Sequence, residues 1–277
     1  MQAVRSALIW IAEITLILLW LPLMAVSRLF DRPPYYRTGY LFRRLGYFMT
    51  KVNPAWQIHV DEAGFPEDPR APYVVVSNHQ SNADIPVVSN LPWEMKWVGK
   101  KELFDIPVVG WMMKMSADLP VDRKDPTSRS SVLRRAQAVL KQRCSVIFFA
   151  EGTRSRDGRL RPFKDGAFRL AIDAGVPVLP VALDGTAHAL PKHGWKFGPA
   201  VQVHLKVLDP IPTAGLTHGD VAALREQTRQ AIAEQIAAWR GVAVAEVQQP
   251  VSGRLAAPES AMTVDAAPRT RKATEGV

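Results

Sequence analysis

His79 and Asp84 stand five residues apart in the stretch Ser77-Asn78-His79-Gln80-Ser81-Asn82-Ala83-Asp84. An imidazole with a carboxylate on one ring nitrogen keeps one tautomer, and its other nitrogen is free to act as a base. The spacing serves that chemistry only where the chain turns back between the two residues. The flanks provide for a turn. Tyr73-Val74-Val75-Val76 is rich in β-branched residues and reads as a strand, and Ile85-Pro86-Val87-Val88 can open a helix. Pro86 is tolerated in a first helical turn, and Ser81 or Asn82 is expected to cap that helix. His204 and Asp209 repeat the same spacing within Val201-Gln202-Val203-His204-Leu205-Lys206-Val207-Leu208, which alternates as a strand does. Five extended residues separate two side chains by about 17 Å and point them to opposite faces. The first pair is therefore the candidate catalytic pair, and the second is a decoy.

A second stretch suits anion binding. In Glu151-Gly152-Thr153-Arg154-Ser155 the glycine and hydroxyls allow a tight loop with exposed N–H groups, and Arg154 adds a planar donor for phosphate. Arg123, Arg156, Arg159, Arg161 and Lys164 thicken the positive field around it. A phosphate reader beside a His–Asp base points to a phosphorylated substrate whose hydroxyl is activated. The lone cysteine, Cys144, excludes an intrachain disulfide framework and a multi-cysteine metal site, and reads as a small core residue.

The elements that must position these groups follow from the pattern along the chain. The first expected domain, residues 1–55, is helical and membrane-associated. Ala7 to Val26 is nearly all apolar, about the length needed to cross a bilayer, though Glu13 and Pro22 interrupt it. Arg28, Arg32, Arg37, Arg43, Arg44 and Lys51 follow and would hold that flank in the cytoplasm, and Thr38 to Val52 reads as an amphipathic helix at the membrane interface. Residues 56–240 alternate strands with helices and form the second expected domain, an α/β fold with a mixed, largely parallel sheet flanked by helices. Sites on such sheets gather at the carboxyl ends of parallel strands, and His79 and Glu151 each lie just past one such end. Residues 241–277 turn to Ala, Pro, Ser and Thr without an apolar period and are expected to be a disordered tail. The chain's net charge of +9 favours anionic partners such as a membrane surface or phosphorylated substrates. The excess is scattered and no nucleic-acid motif accompanies it, so nucleic acid is not an expected partner.

Four blocks in order now resemble the glycerolipid acyltransferase family typified by 1-acyl-sn-glycerol-3-phosphate acyltransferase. They are Asn78 to Asp84, Leu119-Pro120-Val121-Asp122-Arg123, Phe149-Ala150-Glu151-Gly152-Thr153-Arg154-Ser155 and Val176-Pro177-Val178-Leu179-Pro180-Val181. Ala150 departs from the proline usual in the third block, and Pro120 from the phenylalanine common in the second. The resemblance implies acyl transfer from a thioester, acyl-CoA or acyl carrier protein, to the sn-2 hydroxyl of a 1-acyl-glycerol-3-phosphate. His79 would be the general base and Asp84 its orienting partner, with Arg123, Glu151, Gly152, Thr153 and Arg154 positioning the glycerol phosphate. It implies no metal, no bound cofactor and a cytoplasmic-membrane enzyme facing the cytoplasm. The competing readings are another lysolipid acceptor, a membrane-bound acyl thioesterase, and a basic lipid-binding module.

Overall fold

The computed structural model describes residues 2–155, 157–190 and 195–250. Arg156, counted above in the basic field, and the tail from 251 to 277 lie outside them. Seven strands form one sheet: β1 (Trp56–Asp61), β2 (Val74–Ser77), β3 (Met95–Lys100), β4 (Leu119–Val121), β5 (Ser145–Phe149), β6 (Val178–Asp184) and β7 (Val201–Val207), in the order β1-β7-β6-β2-β5-β3-β4. Strands β6, β2, β5, β3 and β4 run parallel; β7 runs antiparallel to β6, and β1 runs with β7. The sheet is thus mixed and largely parallel, as expected.

Strand β2 lies at its centre because Val74, Val75, Val76 and Ser77 are all buried, the pattern of a strand covered on both faces. One face packs under α5 (Pro126–Lys141), α6 (Gly166–Ala174) and α7 (Val221–Arg240), through residues such as Val76, Val132, Phe168 and Ile232. The other face packs under α1 (Gln2–Phe30), α2 (Tyr36–Val52), the short α3 (Asp84–Val88) and α4 (Val109–Met115), through Ile9, Val75, Val87, Trp93, Met24, Leu45 and Met112. The stops are chemical. Asp125 accepts the Thr127 N–H at 2.8 Å and so caps α5, while Gly175, at φ 63°, ends α6 in the left-handed conformation.

Three expectations change. Helix α3 is capped by neither Ser81 nor Asn82. It begins at Asp84, whose own carboxylate takes the N–H groups before it. Arg43 is not part of a solvated basic flank: it is 5% exposed and reaches Asp118 at 2.6 Å, because α2 lies on the protein along that face. The tail does not start at Gly241. Helix α8 (Val244–Val247) buries Val247 fully, and Gln248 bridges to Leu160, since Arg229 and the Leu160 backbone draw that segment in.

Candidate active site

The parallel register sets Ser77 beside Phe149, so the residues after β2 and β5 leave the sheet at one edge. His79 and Glu151 therefore share that edge. The chain after β2 turns back on itself because Asp84 gathers it. Its Oδ2 accepts the Gln80 N–H at 2.7 Å, the Ser81 N–H at 3.0 Å and the His79 ring at Nδ1 at 2.6 Å. A carboxylate only accepts, so Nδ1 carries the proton and Nε2 keeps its lone pair. Asp84 is wholly buried, whereas the His79 side chain is 12% exposed, so the free nitrogen belongs to the group that substrate can approach. The imidazole lies flat on Phe149, 4.1 Å between centroids and 16° between planes, which fixes its tilt as Asp84 fixes its rotation.

Glu151 locks the two loops together. It is 2% exposed; Oε1 accepts the His79 N–H at 2.7 Å and Oε2 the Arg161 N–H at 3.2 Å. Burial pushes its carboxyl up to about 8, against the pull of those two N–H donors. Ser155 adds a second tie by donating its N–H to the His79 carbonyl at 2.8 Å. Gly152 sits at φ +71°, a turn that side-chain-bearing residues resist, and its carbonyl accepts from Arg123. Thr153 and Arg154 are exposed beyond that turn, as are Arg159 and Lys164. Among the residues expected to position a phosphate, Arg123, Gly152, Thr153 and Arg154 thus share one loop system. Glu151 belongs to it differently, with both oxygens committed to backbone.

The decoy pair does not meet the site. His204 is stacked between the His59 ring, at 5.1 Å, and the Trp239 ring, at 5.3 Å. Cys144 is buried with its thiol pushed up to about 12, so no thiolate nucleophile exists there at neutral pH.

Six further residues contribute in ways the motif reading does not assign. Phe149 is a strand residue whose neighbour in space is His79. Asn78 clips the loop to β6: its amide donates to the Leu183 carbonyl at 2.8 Å and accepts the Leu183 N–H at 3.0 Å. Gln80, through its backbone N–H, and Thr186 complete the surroundings of Asp84, Thr186 donating its hydroxyl to Oδ1. Lys100 and Lys101, at the carboxyl end of β3, add charge to the same edge. Asn78, Gln80 and Phe149 fall inside the matched blocks and the others near strand ends, but neither signal names a partner.

Residues 58–184 match the family model described as Acyltransferase. A chloroplastic 1-acyl-sn-glycerol-3-phosphate acyltransferase of Brassica napus is 40% identical over 187 residues, covering 65% of this chain and 52% of that protein. The 1-acyl-sn-glycerol-3-phosphate acyltransferase alpha of Homo sapiens is 37% identical over 166 residues, covering 59% of this chain and 58% of that one. The chain therefore spans about half the length of the curated relatives it matches. Among solved structures, the crystal structure of the 1-acyl-sn-glycerophosphate (LPA) acyltransferase PlsC from Thermotoga maritima aligns with a TM-score of 0.70 at 26% identity, over 85% of this chain and 96% of that one.

Proposed function

We propose, from the match of residues 58–184 to the acyltransferase family model, that the chain moves a fatty acyl group from a thioester to the sn-2 hydroxyl of 1-acyl-glycerol-3-phosphate, giving phosphatidic acid. The observation that carries the reading is the His79 imidazole held by Asp84 at 2.6 Å, with Arg123 and Arg154 in the neighbouring loop. Nε2 of His79 takes the acceptor's hydroxyl proton as that oxygen attacks the thioester carbonyl. The new C–O bond forms, the tetrahedral centre collapses, the C–S bond breaks, and the imidazolium returns the proton to the leaving thiolate. Asp84 stabilises the imidazolium between the two steps. The exposed Arg154 and Arg123 meet the acceptor's phosphate as planar donors, and the Gly152 turn lets Thr153 and Arg154 project. The donor is a co-substrate, acyl-CoA or acyl carrier protein, and the cycle calls for no resident cofactor or metal. The exposed apolar face of α1 supports attachment to a membrane, which in this reading is the cytoplasmic membrane, with the catalytic domain facing the cytoplasm.

Purified His79→Ala tests the proposal. Its acyl transfer to lysophosphatidic acid should fall by about 10²–10⁴-fold while its melting temperature stays near that of the parent chain, and His204→Ala should be silent. Full turnover by His79→Ala would remove the mechanism. Thioester cleavage that proceeds equally without an acceptor would make the chain a thioesterase instead.

A further inference from the structure

Asp84 uses both carboxylate oxygens, and only one is accounted for by its own loop. Oδ2 serves His79, Gln80 and Ser81. Oδ1 accepts from the hydroxyl of Thr186, which lies 102 positions along the chain. Thr186 and Asp84 are both fully buried. The arrangement is built rather than incidental. Strand β6 is the parallel neighbour of β2, so the residue just past its end arrives beside the His79 loop. Gly185 makes that arrival possible. It turns the chain at φ +93°, and a Cβ there would stand 2.0 Å from the Gln202 carbonyl oxygen. The hydroxyl then has two acceptors to choose from, Asp84 Oδ1 and Gln80 Oε1, the second at 3.3 Å. Gln80 is itself fixed, because its Nε2 donates to Asp184 at 2.9 Å and Asp184 is held at 2.6 Å by Arg240. The one hydroxyl proton goes to the nearer, anionic oxygen.

We propose that Thr186 is a positioning residue for the acyl transfer, its hydroxyl holding the Asp84 carboxylate in the rotation that aims Nε2 of His79 at the acceptor. This rests on the His79–Asp84 reading above. The geometry gives the reason. Three donors on Oδ2 fix one oxygen but leave the carboxylate plane free to swing about it, and the Oδ1 contact removes that freedom. A small error in the plane is carried through Nδ1 to Nε2, where misplacement by an ångström costs about 10²-fold.

The experiment compares Thr186→Val, which keeps shape and loses the hydroxyl, with Thr186→Ser, which keeps the hydroxyl, using His79→Ala as control. The readouts are kcat and KM for lysophosphatidic acid together with the melting temperature. Thr186→Val should lose about 10–100-fold in kcat with KM within about twofold, and Thr186→Ser should stay within about threefold of the parent chain. A wild-type kcat in Thr186→Val, a change confined to KM, or equal losses in the Val and Ser variants would overturn the proposal, provided His79→Ala is inactive. An active His79→Ala would remove the reading beneath it, and this proposal with it. Should the Val variant fail to fold, Thr186→Ala against Thr186→Ser carries the same comparison.

Discussion

At His79 the side chain is held from three directions: Asp84 at Nδ1, Phe149 beneath the ring, and Glu151 at the backbone N–H. Asp84→Asn should therefore cost much of kcat, because an amide can offer Nδ1 a donor where it needs an acceptor. A loss of less than about 10-fold would show that orientation by charge matters little here. Glu151 allows a pH test with a definite sign. Its carboxyl rises from 4.5 to about 8 on burial, so the folded chain holds that proton more tightly than the unfolded chain. Stability from this group is intact below about 4.5, declines as pH climbs, and levels off above about 8. Glu151→Gln removes the titration at the cost of one hydrogen bond to the Arg161 N–H, about 1 kcal/mol at every pH. The melting temperature of Glu151→Gln minus that of the parent should accordingly become more positive between pH 5 and pH 9. A flat difference would mean that Glu151 does not titrate there. The types and spacing of His79 and Asp84 made that pair legible in the sequence. The burial of Glu151 and the arrival of Thr186 were not, because each depends on a strand neighbour that no local pattern names.

Elements carry these residues, and alternation read them well where one face of a segment is buried. Strand β7 is the clean case, with Val201, Val203, Leu205 and Val207 inward. Alternation says less about what a polar residue meets. Arg43 looks like any residue of a basic amphipathic helix, yet it anchors α2 to the sheet. Its guanidinium bonds both Asp118 oxygens at 2.6 and 2.8 Å and lies 3.5 Å from Glu94, which pairs with Lys96 at 2.7 Å. Gly39 gives this cluster its room, since a Cβ there would sit 2.0 Å from a Glu94 oxygen. Breaking one partner of a buried pair leaves a charge uncompensated, so Arg43→Met should lower unfolding stability by about 3–5 kcal/mol. The exposed Arg135→Met should stay within about 0.5 kcal/mol. Urea unfolding of the two variants side by side decides it, and equal small effects would reduce the cluster to a surface feature. Segment 243–250 is a second tie of this kind. Gln249 holds Asp157 at 2.9 and 3.0 Å and Leu160 exchanges backbone bonds with Val247 and Gln249, bracing the loop that leads away from Arg154.

For the molecule as a whole, the placement of α1 decides how the His79 edge would meet a membrane under the proposed function. The apolar run was legible by composition, but composition does not distinguish a helix that crosses a bilayer from one that lies along it. Packing bears on the choice. Near its start α1 is tied to the chain before β7, through Arg5 to Gly198 at 2.6 Å and Trp10 to Trp195 at 2.7 Å. Further on, Trp20 donates to the Leu41 carbonyl at 2.7 Å, and Met24 is buried against Leu45 and Met112. A helix held to the domain at both ends presents only its outer face, and that face carries Leu8, Ile11, Leu18, Leu19, Leu29 and Phe30 in the open. Under the proposed membrane attachment, such a face would enter one leaflet and draw the domain down flat, with the exposed Arg32 and Arg37 at headgroup level. Replacing Leu8, Leu18 and Leu19 with Ser withdraws three side chains, each worth about 1.5–3 kcal/mol when fully buried. Even at half that depth, partition onto vesicles should fall by about 40-fold or more. Turnover of a short-chain acceptor dispersed as monomers should be unchanged, because none of the three touches the His79 edge. Co-sedimentation with phospholipid vesicles measures the first quantity and a soluble-substrate assay the second. Undiminished vesicle binding would mean that another surface holds the protein to the membrane, and lost turnover on the soluble acceptor would mean that α1 shapes the site as well as placing it.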